Sequence, residues 1–215
     1  IIIGLLLALL IIILFLNIPA GHPIALLILL AICGLSLWEF YTLLIAGGLA
    51  SSRKWGTSIG IIFCIATWLY MINPMPSDQR ILLSDTLLWS IMLLVVISTF
   101  YRLLGYTDMR DGLNHGLGTL LGFIYVPFLF SFFIRLFLID DISQPAWIAF
   151  YTVLTTKISD TGGYFIGSRF GRNKLATIIS PKKSWEGLAG GILFCLFTNI
   201  LWLFISNGYI GSLRF

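Results

Sequence analysis

Charged side chains are scarce in this 215-residue sequence. Asp, Glu, Lys and Arg make up 10% of the residues, hydrophobic residues make up 59%, and the mean hydropathy is +1.00. A soluble domain carries about 25% charged residues. The shortage leaves too few polar groups to cover a solvated surface, so it excludes soluble enzymes, soluble binding proteins and nucleic-acid-binding domains. It predicts an integral membrane protein.

Cysteine is scarce as well. Cys33, Cys64 and Cys195 lie far apart in apolar runs, without a C-x-x-C pattern or a Cys/His cluster. Such cysteines are typical of small core side chains. The sequence also lacks an initiator Met and the basic and small-residue segments of a signal peptide. Because it also stops abruptly at Phe215, we expect a fragment.

Long apolar runs fill most of the chain. A membrane-spanning helix needs about 20 apolar residues, and the runs are continuous rather than alternating, which argues against membrane strands. We therefore predict an all-α fold, a polytopic transmembrane helical bundle in a single domain over 1–215. About seven spans are predicted, at 1–16, 24–44, 56–72, 81–100, 113–134, 145–167 and 187–206.

The basic residues are distributed unevenly between the two sides of these spans. Loops after the even-numbered spans carry nine Lys and Arg residues, whereas the opposite side carries three. Cytoplasmic loops of membrane proteins are enriched in Lys and Arg. The asymmetry predicts that the loop 168–186 lies in the cytoplasm.

The sixth span contains two opposite charges. Lys157 and Asp160 are three residues apart, and Tyr164 follows on the same helix face. Facing lipid, the two charges would oppose insertion by about 5–7 kcal/mol, so we expect them to point into the protein or toward water. A buried Lys157–Asp160 pair that only holds helices together is the alternative, although it leaves the neighbouring hydroxyls of Thr155, Thr156, Ser159 and Thr161 unexplained.

Glycines and cations follow this charged segment. Gly163, Gly167 and Gly171 recur every four residues, a spacing that favours close helix packing more than phosphate binding. The next residues form the most cationic stretch of the chain, which suits either polyanionic phosphates or acidic lipid headgroups. The start of the seventh span adds helix N-terminal N–H groups as a further anion site. The basic residues are Arg169, Arg172, Lys174, Lys182 and Lys183.

Two ordered segments carry a family resemblance. Asp160-Thr161-Gly162-Gly163-Tyr164-Phe165-x-Gly167 and Ser180-Pro181-Lys182-Lys183-Ser184-Trp185-Glu186-Gly187, with Phe170-Gly171 and Lys174-Leu175 between them, resemble phosphatidate cytidylyltransferase, also called CDP-diacylglycerol synthase. The resemblance implies a bacterial inner-membrane enzyme, a homodimer, that uses CTP, phosphatidate and Mg²⁺ and leaves a second cation open. It also implies that the catalytic region begins at 145–215, after N-terminal and middle spans in 1–144, and that no nucleic acid is bound.

The resemblance also implies residue roles. The catalytic residues are expected to be Asp160, Ser180, Lys182, Lys183 and Glu186. Among them Asp160 is expected to be the metal ligand, Lys183 is preferred to Lys182 for phosphate, and Glu186 is expected to orient the lysines. Substrate binding is expected at Lys157, Thr161, Arg169, Arg172, Lys174 and Ser184.

One part of the family pattern is absent. The family carries a further lysine-aspartate pair, a Pro-Gly-His-Gly-Gly segment and an Asp-Arg-x-Asp segment, none of which this sequence contains. We therefore expect these 215 residues to supply only part of an active site. Three other functions stay open: a CTP-dependent lipid kinase, a membrane transporter and an inactive structural remnant.

Overall fold

The computed structural model describes residues 23–72, 77–138, 145–176, 180–206, 209–210 and 213–214. The chain forms two compact units, Ile1–Asp141 and Ile142–Phe215. The described part of the first unit is helical. The second unit contains a helical hairpin whose two arms are joined by a short β-ribbon.

The first unit consists of five α-helices and one wide turn in its described part. They are α1 (Pro23–Ala46), α2 (Arg53–Met71), α3 (Ser77–Leu103), α4 (Met109–Phe123), a π-helical turn (Ile124–Phe128) and α5 (Leu129–Phe137). Helix α4, the turn and α5 follow one another without a break. Pro127 lies inside the turn, where its missing N–H removes one helical hydrogen bond.

Aromatic rings fill the interior of this unit. Phe63 and Phe123 meet edge to face with centroids 5.2 Å apart. Tyr41 is fully buried and its hydroxyl donates to the carbonyl of Thr119 at 2.8 Å. A Cβ at Gly56 would lie 2.2 Å from the Tyr41 hydroxyl oxygen, and one at Gly122 would lie 2.3 Å from a Tyr41 ring carbon, so these glycines make the space that the side chain occupies.

The second unit brings its two long helices together as antiparallel neighbours. Its elements are α6 (Pro145–Phe170), β1 (Lys174–Ala176), β2 (Ser180–Ser184), α7 (Trp185–Ile205), β3 (Tyr209–Ile210) and β4 (Leu213–Arg214). Strands β1 and β2 pair antiparallel, with Lys174 opposite Ser184. At the far end of the hairpin Trp147, Tyr151 and Trp202 cluster, with 5.3 Å between the Tyr151 and Trp202 rings. The ribbon and this aromatic cluster are separated by most of α6, which spans about 39 Å at 1.5 Å per residue.

The prediction of a helical membrane protein is confirmed, with the short strands as an addition to the predicted all-α fold. Three helices are long and apolar enough to cross a membrane: Pro23–Ala46, Met109–Leu136 and Trp185–Ile205. The predicted spans 56–72, 81–100 and 145–167 coincide with helices α2, α3 and α6. The predicted span 1–16 lies outside the described residues. The count of seven therefore stays a prediction.

Candidate functional site

Glycines form the contact between α6 and α7. A Cβ at Gly162 would lie 3.0 Å from the carbonyl oxygen of Gly190, and a Cβ at Gly190 would lie 2.5 Å from Cβ of Ile166. A Cβ at Gly187 would meet the carbonyl oxygen of Gly163 at 3.0 Å. The two backbones approach so closely that only hydrogen fits at these positions. The packing role predicted for the glycine stripe is thus confirmed.

The contact with α7 leaves the two charges of α6 exposed. Helix α7 contacts α6 through Gly162, Gly163 and Ile166. Lys157, Asp160, Thr161 and Tyr164 are exposed. Tyr164 is 79% exposed. Lys157 and Asp160 make no ion pair with any residue that the structure describes. A buried pair is therefore not seen within the described residues, and the role of Asp160 as a ligand stays a prediction.

The hydroxyls around these charges bond to their own helix. Thr155 and Thr156 donate to the carbonyls of Tyr151 and Thr152 at 2.9 and 2.8 Å, and Thr161 donates to the carbonyl of Lys157 at 2.8 Å. Such back-bonding satisfies a threonine without a partner helix. It explains the polar residues of α6 in structural terms, and the predicted substrate contact of Thr161 stays a prediction.

Ser184 ends the ribbon and begins α7. It is buried, and its hydroxyl accepts from the backbone N–H of Gly187 at 3.2 Å, as an N-cap does. The same hydroxyl would lie 2.5 Å from a Cβ at Gly171 and 3.3 Å from one at Gly167. Ser184 therefore makes structural contacts. Its predicted contact with substrate is not tested by them.

The beginning of α7 is already occupied by protein groups. The N–H of Trp185 donates to the carbonyl of Asn173 at 3.0 Å, and the N–H of Gly187 donates to Ser184. The Glu186 carboxylate accepts from the backbone N–H of Asn173 at 3.1 and 3.2 Å and from its side-chain amide at 2.9 Å. Two of the N–H groups expected to hold an anion are thus used within the chain. The contact of Asn173 with Glu186 could not be predicted from the sequence, because no local pattern links residues 13 positions apart across a turn.

The cations lie on and around the ribbon. Arg169 lies in the last turn of α6, Arg172 precedes β1, Lys174 begins β1, and Lys182 and Lys183 lie in β2. All five side chains are exposed. The ribbon is irregular, because the step from Lys174 to Ala176 in β1 is paired with the longer step from Ser184 to Ser180 in β2. Regular alternation therefore does not assign the two lysines to faces of the ribbon.

Asp160 is aligned with the ribbon along α6. Residues 160, 167 and 171 lie on one helix face, because spacings of seven and eleven residues bring a helix back to nearly the same direction. Ser184 packs on Gly167 and Gly171, which places the ribbon end on that face. Asp160 lies about 10 Å below Gly167 at 1.5 Å per residue. Asp160 thus lies about two helical turns along α6 from the level at which Ser184, the last residue of the lysine-bearing strand, packs.

Asp160 is the predicted ligand of Mg²⁺, and this role stays a prediction. Mg²⁺ sites commonly use one or two carboxylates with phosphate oxygens and waters. Asp160 supplies one exposed carboxylate with no cation within ion-pair distance among the described residues. Within those residues no cluster of three or more His, Cys, Asp or Glu side chains is found. A metal here would need substrate oxygens in addition to Asp160.

The fold and these groups define an integral membrane protein with a carboxylate and a cationic ribbon at one end of a helical hairpin. The chain belongs to the cytidylyltransferase family, whose sequence model matches residues 2–213.

Curated relatives support this membership. The phosphatidate cytidylyltransferase of Bacillus subtilis is 29% identical over 143 residues, which are 64% of this chain and 49% of that protein. The phosphatidate cytidylyltransferase of Thermotoga maritima is 33% identical over 84 residues, 39% of this chain and 30% of that protein. The one from Haemophilus influenzae is 38% identical over 61 residues, 28% of this chain and 21% of that protein. The chain spans less than half of the length of each of these relatives.

Proposed function

We propose that the chain provides part of the active site of a membrane enzyme that transfers the cytidylyl group of CTP to phosphatidate. The products are CDP-diacylglycerol and pyrophosphate. The observation that supports the proposal is the contact of Ser184, at the end of the lysine-bearing strand, with Gly167 and Gly171 of the helix that carries Asp160. Family membership and the names of the relatives support the same reaction.

The reaction depends more on the neutralisation of negative charge than on proton transfer. A phosphate oxygen of phosphatidate attacks the α-phosphorus of CTP, forming one P–O bond as the bond to the β-phosphate breaks and pyrophosphate leaves. A phosphate monoester has its second pKa near 6, so the nucleophile is largely ionised at neutral pH and needs no general base. Two polyanions must be brought together and the leaving charge must be neutralised.

The exposed cations of the ribbon suit this requirement. Lys182 and Lys183 would contact phosphate oxygens, and Ser180 would donate a hydrogen bond to one of them. Asp160 would hold Mg²⁺, which supplies positive charge to the phosphates. Arg169, Arg172 and Lys174 would attract the polyanion, with Lys157 beside Asp160. The extended triphosphate would bridge the distance of about 10 Å along α6.

The test compares charge-removing variants in the full-length protein. Removing one group that stabilises developing charge costs about 10²–10³ in rate. We expect Asp160→Asn and Lys183→Ala to lower turnover by at least that factor. Lys54→Ala and Asp111→Asn are matched controls, because both side chains are exposed charges of the first unit. They should retain the wild-type rate.

CTP labelled at different positions distinguishes the remaining candidate functions. With CTP labelled in the cytidine moiety, a cytidylyltransferase places the label in lipid. With CTP labelled at the γ-phosphate, only a lipid kinase does so. Label transfer from the γ-phosphate, or solute flux in proteoliposomes without nucleotide turnover, would contradict the proposal. Near-normal turnover of Asp160→Asn or Lys183→Ala would remove that residue from the mechanism.

The same proposal includes topology and assembly. The excess of Lys and Arg on one side supports a cytoplasmic position for 168–186 in a bacterial inner membrane. The resemblance supports a homodimer. Labelling of a single cysteine introduced at Arg172 from the cytoplasmic side only, together with the mass of the detergent-solubilised protein, tests both statements.

A further inference from the structure

The two ends of the ribbon are fastened together by Asn173. Its carbonyl accepts from Trp185, and its backbone and side-chain N–H groups donate to Glu186, so one residue before β1 holds both the first and second residues of α7. Lys174 directly follows and pairs with Ser184. These contacts close the base of the loop that carries the lysines.

We propose that Asn173 is a positioning residue that sets the direction of β2 and thereby the placement of Lys182 and Lys183. The proposal rests on the proposed function, because it concerns how these lysines reach phosphate. Asn173 lies outside the segments that carry the resemblance. Among the described residues it makes no hydrogen bond with either lysine. It acts through Glu186 and the backbone of the ribbon.

The geometry assigns Glu186 to the same task. A carboxylate offers about four lone-pair sites, and Asn173 supplies two donors to it: its backbone N–H, shared between both oxygens, and its side-chain amide. Hydrogen bonds to an ionised acceptor are stronger than neutral ones. Glu186 is therefore engaged in holding the base of the ribbon. We assign it to positioning rather than to catalysis.

The distance from this anchor to the lysines is short. Ser184 is fixed by its own contact with Gly187 and by the glycines of α6. At about 3.3 Å per strand residue, Lys183 and Lys182 lie one and two steps from that fixed point. Releasing the base of the ribbon would therefore move the lysines while leaving the α6–α7 packing in place.

A donor–acceptor exchange tests the proposal. Asn173→Asp places a second carboxylate against Glu186, whereas the double variant Asn173→Asp with Glu186→Gln restores a side-chain hydrogen bond with the donor on the other residue. Asn173→Ala retains the backbone N–H contacts. Asn114→Ala, an exposed asparagine of α4, is the matched control. The full-length protein in nanodiscs is assayed for kcat and KM for CTP, thermal stability and hydrogen exchange of 174–183.

The expected pattern has three parts. Asn173→Asp lowers kcat/KM for CTP at least tenfold and speeds hydrogen exchange of the ribbon about tenfold, while the melting temperature stays within a few degrees of wild type. The double variant returns both values to within about threefold. Asn173→Ala falls between, and Asn114→Ala is unchanged. If Asn173 had only a structural role, Asn173→Asp would lower the melting temperature together with kcat. Hydrogen exchange would then not increase specifically at the ribbon amides.

The proposal is overturned if Asn173→Asp has wild-type exchange in the ribbon, or if the double variant is no better than Asn173→Asp. Its failure is separable from that of the proposed function. If Lys183→Ala is inactive while the Asn173 variants are normal, only the positioning role is lost. If the ribbon responds as expected in hydrogen exchange but Lys183→Ala is fully active, the cytidylyl-transfer site is wrong and the structural part of the inference stands.

Discussion

Replacing Gly190 by alanine tests the closest approach in the second unit. The new Cβ would lie 2.5 Å from Cβ of Ile166 and 3.0 Å from the carbonyl oxygen of Gly162. Ordinary carbon contacts begin near 3.5 Å, so the two helices must separate by about 1 Å at this level. The obstructing atoms are a branched Cβ and a backbone oxygen, neither of which can rotate away.

The expected free-energy change has two opposing parts. Overpacking a tight interface costs about 1–3 kcal/mol. Alanine also gains about 1 kcal/mol over glycine from helix propensity. The net effect is a loss of up to about 2 kcal/mol, with the larger values when α6 and α7 cannot shift. The matched control is Gly34→Ala in α1, where the new Cβ would meet Cδ1 of Ile61 at 3.5 Å, an ordinary contact.

Thermal unfolding in detergent, followed by fluorescence-detected size exclusion, measures the difference. Gly190→Ala should melt below wild type, and Gly34→Ala should melt at or above it. Equal melting temperatures for the two variants would refute the close contact between α6 and α7. A low melting temperature for both would instead show that helical glycines are required for a reason other than space.

Three further outcomes are expected. Tyr41→Phe should lower stability by about 1 kcal/mol in a denaturation assay, because the buried hydroxyl donates to Thr119, and a neutral result would contradict that hydrogen bond. Iodine oxidation in micelles should join Cys33 to Cys64, whose sulfurs lie 3.5 Å apart, and the linked peptide should be absent by mass spectrometry from Cys64→Ser. Ser184→Ala should cost about 1 kcal/mol in melting experiments through the lost N-cap; a larger loss of turnover at saturating CTP, measured below the melting temperature, would point to a substrate contact.

Continuous apolar runs made the long helices predictable. The predicted spans 24–44 and 187–206 differ from Pro23–Ala46 and Trp185–Ile205 by one or two residues at each end. Helix spacing also placed Lys157, Asp160 and Tyr164 on one face. It did not predict that this face is exposed, because that depends on which side of α6 packs against α7. The sequence allowed the glycines of α6 to be identified as a packing stripe. It did not show which helix packs against them.

The ribbon was harder to predict. Residues 174–184 contain cations, a proline and serines, a composition typical of a loop, and the strands are only three and five residues long. The link between Asn173 and Glu186 depends on the register of that ribbon. Tertiary pairing of this kind has no signature in a single sequence, so the role of Glu186 could be stated only as a resemblance and not as a contact.

The wide turn at Ile124–Phe128 changes which residues of α4 and α5 share a helix face. Phe123 is buried in the cluster of Phe63 and Val95, and Phe128, five residues later, packs on the same cluster. In a regular α-helix, residues five apart point about 140° away from each other. The π-type turn accommodates one additional residue and so returns Phe128 to the face of Phe123. Deleting one residue from this turn would restore regular α-helical bonding and leave Leu129–Phe137 close to its present direction relative to α4, because Phe128 would then follow Phe123 by four residues.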